Sequence, residues 1–113
     1  HKTILYRAPY GEYNNIVIRA VKSASHVPIQ WNLDTLDYTG ITGEEMWKSL
    51  ENKLSCGSII LMHNGTKHTA DSLDMIIKNI KAKGYEISTV SNLIYKDNYT
   101  IDNNGIQRVS NNV

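Results

Sequence analysis

Strand-like and helix-like segments alternate along this chain, and that alternation limits the fold more than any other feature. The clearest strand is residues 57–62, Gly57-Ser58-Ile59-Ile60-Leu61-Met62, a nearly continuous apolar run of the kind buried on both faces of a parallel sheet. Residues 2–6 and 27–33 read as two earlier strands, with Pro28 near the start of the second, where a missing N–H is tolerated. Residues 85–90 read as a fourth. Between them lie helical stripes: Tyr13, Ile16, Val17, Ala20, Val21 and Ala24 over residues 12–24, then Met46, Trp47, Leu50 and Leu54, then Leu73, Ile76, Ile77 and Ile80. Thr42-Gly43-Glu44-Glu45 has the form of a capping box, Thr69 is placed to cap the third helix, and Gly84 to stop it. The order β-α-β-α-β-α-β predicts an α/β fold with parallel strands and crossover helices, about half of an eight-fold barrel. A half barrel leaves open sheet edges for another segment to cover.

Length and charge close off other classes. The 113 residues make one domain at most, and a net charge of +1 without a Lys/Arg block lacks the footprint of a nucleic-acid binder. No apolar run approaches the roughly 20 residues of a transmembrane helix. The chain opens on His1 and carries no signal peptide, so a piece of something longer is expected. Cys56 is alone and reads as a small buried residue. Residues 95–113 are polar and Asn-rich. A short hairpin around Asn103-Asn104-Gly105 is one reading and a polar tail the simpler one.

Chemistry-bearing residues gather at strand ends, which converge on one rim in repeating βα folds. Arg7 follows the first strand, Asp34 and Asp37 the second, and His63 the third. A histidine held by a carboxylate can move a proton near neutral pH, and Asp34 and Asp37 are the carboxylates in reach. The Pro9-Tyr10-Gly11 loop leads into a helix, where free backbone N–H groups can hold an oxyanion. Tyr10 and Tyr38 sit in loops suited to line a groove, whereas Trp31, inside a strand, defaults to core. No His or Cys beside the aspartates gives a metal-ligand spacing, and the sequons at Asn64 and Asn98 are too common to carry weight.

Together these segments resemble the C-terminal half of a polysaccharide deacetylase domain, the NodB-homology carbohydrate esterases of family 4. Arg7-Ala8-Pro9-Tyr10-Gly11 matches that family's Arg-x-Pro-Tyr motif, Asp34-Thr35-Leu36-Asp37-Tyr38 resembles its Asp-x-x-Asp-Trp motif, and Leu61-Met62-His63 matches its Leu-x-His motif. The likeness runs over residues 3–93. It implies a deformed (β/α) barrel and metal-dependent deacetylation of N-acetylglucosamine glycans such as peptidoglycan or chitin, or of O-acetylated xylan, outside the cell or at its wall. It further implies His63 as general acid, Asp37 as its partner with Asp34 the alternative, Arg7 orienting a base, and the Tyr10 N–H stabilising the oxyanion. Leu61, Tyr38 and Pro9 would line the substrate pocket.

The family's Asp-Asp and His-x-x-x-His motifs, which supply the base and the ligands for Zn²⁺ or another divalent metal, are absent: histidines stand at 1, 26, 63 and 68. Tyr38 replaces a Trp, and Asn64 an Asp common after the motif histidine. Residues 1–94 are therefore expected to be the C-terminal half of such a domain, inactive alone and completed by its missing N-terminal half or a second chain. A catalytically dead glycan-binding or regulatory module of the same fold is the alternative. A receiver-like phosphoacceptor ranks last, for want of an acidic pair on the first strand.

Overall fold

The computed structural model describes residues 3–95, 97–102 and 105–109. Lys2, at the start of the expected first strand, and the Asn103-Asn104 turn lie outside them, as do residues 110–113. β1 (Leu5–Tyr6) runs parallel to β2 (Val27–Pro28) across α1 (Asn15–Ser23). β3 (Leu33–Asp34) runs parallel to β4 (Ile60–Leu61) across α2 (Gly43–Glu51). α3 (Thr69–Ala82) and the short α4 (Val90–Leu93) follow. β5 (Tyr99–Ile101) and β6 (Gln107–Val109) pair antiparallel, so the segment read most simply as a tail carries a hairpin. Two strand–helix–strand units in parallel make this an α/β chain.

The strand expected over 27–33 is two strands with different partners. Val27 and Ile29 donate their N–H groups to Ile4 and Tyr6, whereas Leu33 and Thr35 donate theirs to Ile59 and Leu61 on the opposite neighbour. Residues an even number apart face the same side of a regular strand, so the chain makes a half-turn between Ile29 and Leu33. Asn32 and Leu33 both donate to the Ile59 carbonyl, at 3.0 and 3.2 Å, which crowds two residues opposite one as a bulge does. The Asn32 side chain completes the exchange by accepting the Ile59 N–H at 2.6 Å.

The helices start where their caps put them. α1 begins later than its apolar stripe because Asn14 accepts the Val17 N–H at 2.9 Å. At α2 the Thr42 hydroxyl accepts the Glu45 N–H and Glu45 accepts the Thr42 N–H, the reciprocal box read from the sequence. Gly84 takes φ +92° just past α3, a conformation that favours glycine, and donates to the Lys81 carbonyl. α2 and α3 pack Met46, Leu50, Ile76 and Ile80 over Leu33. They approach closely at Gly43, where a Cβ would lie 2.6 Å from that of Ser72.

Three further expectations change. Thr69 is not a cap but the first residue of α3, preceded by His68, and its hydroxyl is turned away to Asp37. Residues 85–90 form no strand: among the described residues no ladder partner reaches Glu86–Ser88, and Thr89 instead caps α4 by accepting the Asn92 N–H. Cys56 is exposed because the Ser55–Ser58 turn carries it outward. Met46→Ala, which empties a fully buried site, is expected to cost about 3 kcal/mol. Thr42→Ala should cost about 1 kcal/mol through loss of the cap. Urea unfolding of both variants checks the order.

Candidate active site

Among the described residues Asp37 is the one buried charged side chain, with none of its surface exposed. It sits just past β3, where Leu36 adopts a left-handed φ of 56° and begins a tight turn over Asp37–Thr39. A non-glycine residue there stores about 1 kcal/mol or more of strain, held by the surrounding bonds. Asp34 supplies one of them, accepting the Leu36 N–H at 2.9 Å, and the Thr39 hydroxyl supplies another by donating to the Leu36 carbonyl at 2.6 Å. Asp34 therefore shapes the turn, and the carboxylate brought to the histidine is that of Asp37.

His63 leaves the end of β4 directly opposite. Its backbone N–H donates to Asp37 Oδ2 at 2.6 Å and its ring Nδ1 lies 2.8 Å from Oδ1. The Thr69 hydroxyl also donates to Oδ2, at 2.7 Å, and the Thr66 hydroxyl touches that of Thr69. Burial pushes the Asp37 carboxyl up. The His63 N–H, the Thr69 hydroxyl and the His63 ring together outweigh it and hold the group below the ordinary carboxylate range. An ionised carboxylate can only accept, so His63 Nδ1 carries a proton and Nε2 faces away from Asp37. The His63 side chain is 42% exposed, which leaves that edge open to a reacting group.

Tyr38, 62% exposed, stands edge-on to His63 with ring centroids 5.5 Å apart. Arg7 is exposed at the end of β1 and makes no hydrogen bond or ion pair among the described residues. It does not touch Asp37 or His63, but it shares with Leu61, Trp31 and Ile29 a cleft of about 410 Å³ between the two parallel pairs. Trp31, expected as core, is half-buried in that cleft wall, and a Cβ on Gly11 would lie 2.5 Å from its ring. Tyr10 takes φ 58° with its side chain 95% exposed, and its N–H has no acceptor among the described residues. Pro9, also exposed, begins that turn.

Sequence reasoning missed Thr35, whose buried hydroxyl donates to the Leu61 carbonyl at 3.0 Å, and the contact of Thr69 with Asp37. Small hydroxyl residues in loops give no periodic signal, so only tertiary placement identifies them. Among the described residues no three His, Cys, Asp or Glu side chains come together to hold a metal ion.

Fold and site together define an α/β protein with a buried aspartate–histidine pair at parallel strand ends. No family model matches the chain. The chain is 35% identical over 88 residues to the peptidoglycan-N-acetylglucosamine deacetylase PgdA of Listeria monocytogenes, a match covering 77% of this chain and 18% of that protein. It superposes with TM-score 0.77 and 26% identity on a CE4 family pseudoenzyme from Bacillus anthracis, covering 82% of this chain and 33% of that one. It superposes with TM-score 0.75 and 27% identity on the Bc1960 peptidoglycan N-acetylglucosamine deacetylase, covering 80% and 44%. The chain thus resembles the C-terminal part of carbohydrate esterase family 4 polysaccharide deacetylases. It spans less than half the length of each of these relatives.

Asp37→Asn is expected to destabilise the chain by about 3 kcal/mol, because an amide meets donors arranged for a carboxylate. The folded carboxyl lies below its ordinary value, so its contribution is full above the unfolded pKa of about 3.9 and is lost as pH falls through the lower folded value. Urea midpoints measured from pH 7 down to pH 2 should fall for the native chain and flatten in Asp37→Asn.

Proposed function

We propose that this chain is the proton-donating, C-terminal part of a deacetylase that removes N-acetyl groups from N-acetylglucosamine-containing glycan of the peptidoglycan or chitin type. The observation that carries the reading is the Asp37–His63 pair, with Nδ1 held and Nε2 exposed at a strand end. When an acetamide collapses from its tetrahedral intermediate, the nitrogen leaves only once protonated, and a histidine protonated at Nε2 supplies that proton. Asp37 holds the ring in one tautomer and stabilises its charged form, as a carboxylate does for a catalytic imidazole. Arg7, with no partner among the described residues, is available to orient a carboxylate base, and the Tyr10 N–H, which has no acceptor among them, to receive the oxyanion. Leu61 lines the cleft that would take the acetyl methyl, with Tyr38 and Pro9 at the sugar.

On this reading residues 1–94 are part of a deformed (β/α) barrel, and residues 95–113 are an appended segment. The base and the divalent metal that the family resemblance implies would come from outside these 113 residues, from the remaining part of the domain or a second chain. Its substrate would be wall or extracellular glycan. Among the described residues no helix is long and apolar enough to cross a membrane.

The second reading is a catalytically dead glycan-binding module. The pseudoenzyme among its structural neighbours favours it, as do the exposed rings of Tyr10 and Tyr38. Supplying the N-terminal part of a related deacetylase together with Zn²⁺ separates the two. Acetate release from a chitooligosaccharide, lost at least a hundredfold in His63→Ala, is expected for the enzyme. Glycan binding without acetate release, weakened in Tyr38→Ala and unchanged in His63→Ala, would favour the binding module.

A further inference from the structure

We propose that Thr69, backed by Thr66, is a positioning residue that orients the Asp37 carboxylate and thereby sets the tautomer of the His63 ring. The direction of every bond in this cluster follows from one fact. Ionised Asp37 has no proton to give, so the three groups on it are all donors. Thr69 has a single hydroxyl proton and gives it to Oδ2. Its oxygen is then only an acceptor, and the Thr66 hydroxyl in contact with it must be the donor. The protons run in one order, Thr66 to Thr69 to Asp37.

This order divides the carboxylate between two jobs. Oδ2 receives both the His63 backbone N–H at 2.6 Å and the Thr69 hydroxyl at 2.7 Å. Among the described residues Oδ1 is left to the ring, at 2.8 Å. A carboxylate turns easily about its terminal torsion, which is broad and two-fold. One donor on Oδ2 allows that rotation, whereas two set the plane. The position of Thr69 explains why a helical residue is free to do this. Mid-helix threonines turn their hydroxyls to a carbonyl one turn back, but the first residue of α3 has no such helical carbonyl behind it. Thr69 is nearly fully buried, so its bond is shielded from competing water.

The importance of this for amine protonation rests on the deacetylase reading, whereas the tautomer does not. The test uses ring-nitrogen correlation spectra of the ¹⁵N-labelled chain. Thr69→Val keeps the β-branch and the size while deleting the hydroxyl. It is expected to raise the Nε2–H tautomer of neutral His63 relative to Nδ1–H by about tenfold, the order of one lost hydrogen bond to a charged group. Thr69→Ser should restore the native ring spectrum, and Thr66→Val should move it part of the way. A folded Thr69→Val chain with the native tautomer ratio overturns the proposal. If Thr69→Val does not fold, Thr66→Val decides: a shifted ratio supports the relay and an unchanged ratio overturns it. In the reconstituted domain Thr69→Val should lower kcat with KM unchanged, rescued by Thr69→Ser. Absence of acetate release there sinks the deacetylase reading, and the ring spectrum alone then decides the role of Thr69.

Discussion

A carboxylate with no exposed surface makes heavy demands on the chain around it. Charge removed from water costs several kcal/mol unless it is met by well-placed donors, so Asp37 can exist in this place only if His63 and Thr69 are also in theirs. Those residues come from three elements, two of them 26 and 32 residues from Asp37 along the chain. The turn after β3 carries the acceptor, the end of β4 carries the backbone and ring donors, and the first residue of α3 carries the hydroxyl. The pairing of β3 with β4 and the packing of α2 on α3 thus have a common meeting point. A site that looks like a local motif is a constraint on the whole second half of the chain.

Much of this could be read from the residues in order. The capping box at Thr42 and Glu45, the apolar faces of α2 and α3, and Gly84 as a stop all follow from spacing, because each depends on neighbours within one or two turns. Thr69 sat in the right place for a cap, but a buried carboxylate offers its hydroxyl a stronger partner than a helix end does. Residues 27–33 read as one strand because β-propensity does not reveal which neighbour each half will pair with. Residues 85–90 have strand composition and no ladder partner among the described residues, so composition alone misled. In the site, the spacing put both Asp34 and Asp37 within reach of His63, and the motif resemblance pointed to Asp37 with Asp34 the alternative. The left-handed turn at Leu36 decides between them, and no local rule would place a leucine there.

Among its described residues the molecule has a satisfied side and an unsatisfied one. It covers only a third to a half of its solved neighbours. The Asp37–His63 side is satisfied in itself, whereas Arg7 and the Tyr10 N–H point at nothing within the described residues. Buried polar groups are nearly always paired, so donors of this kind keep their capacity only where they stay exposed, as Arg7 and Tyr10 do.

The half-turn between Ile29 and Leu33 has a mechanical meaning. β1, α1 and β2 form one hydrogen-bonded unit, and β3, β4 and the helices packed on them form another. The backbone over residues 29–33 is the covalent link between the two strand pairs, and Arg7 belongs to the first unit while His63 belongs to the second. Cooperative opening follows such boundaries. The guanidinium and the imidazole therefore stand on different hydrogen-bonded ladders, and the backbone over residues 29–33 sets the span between them.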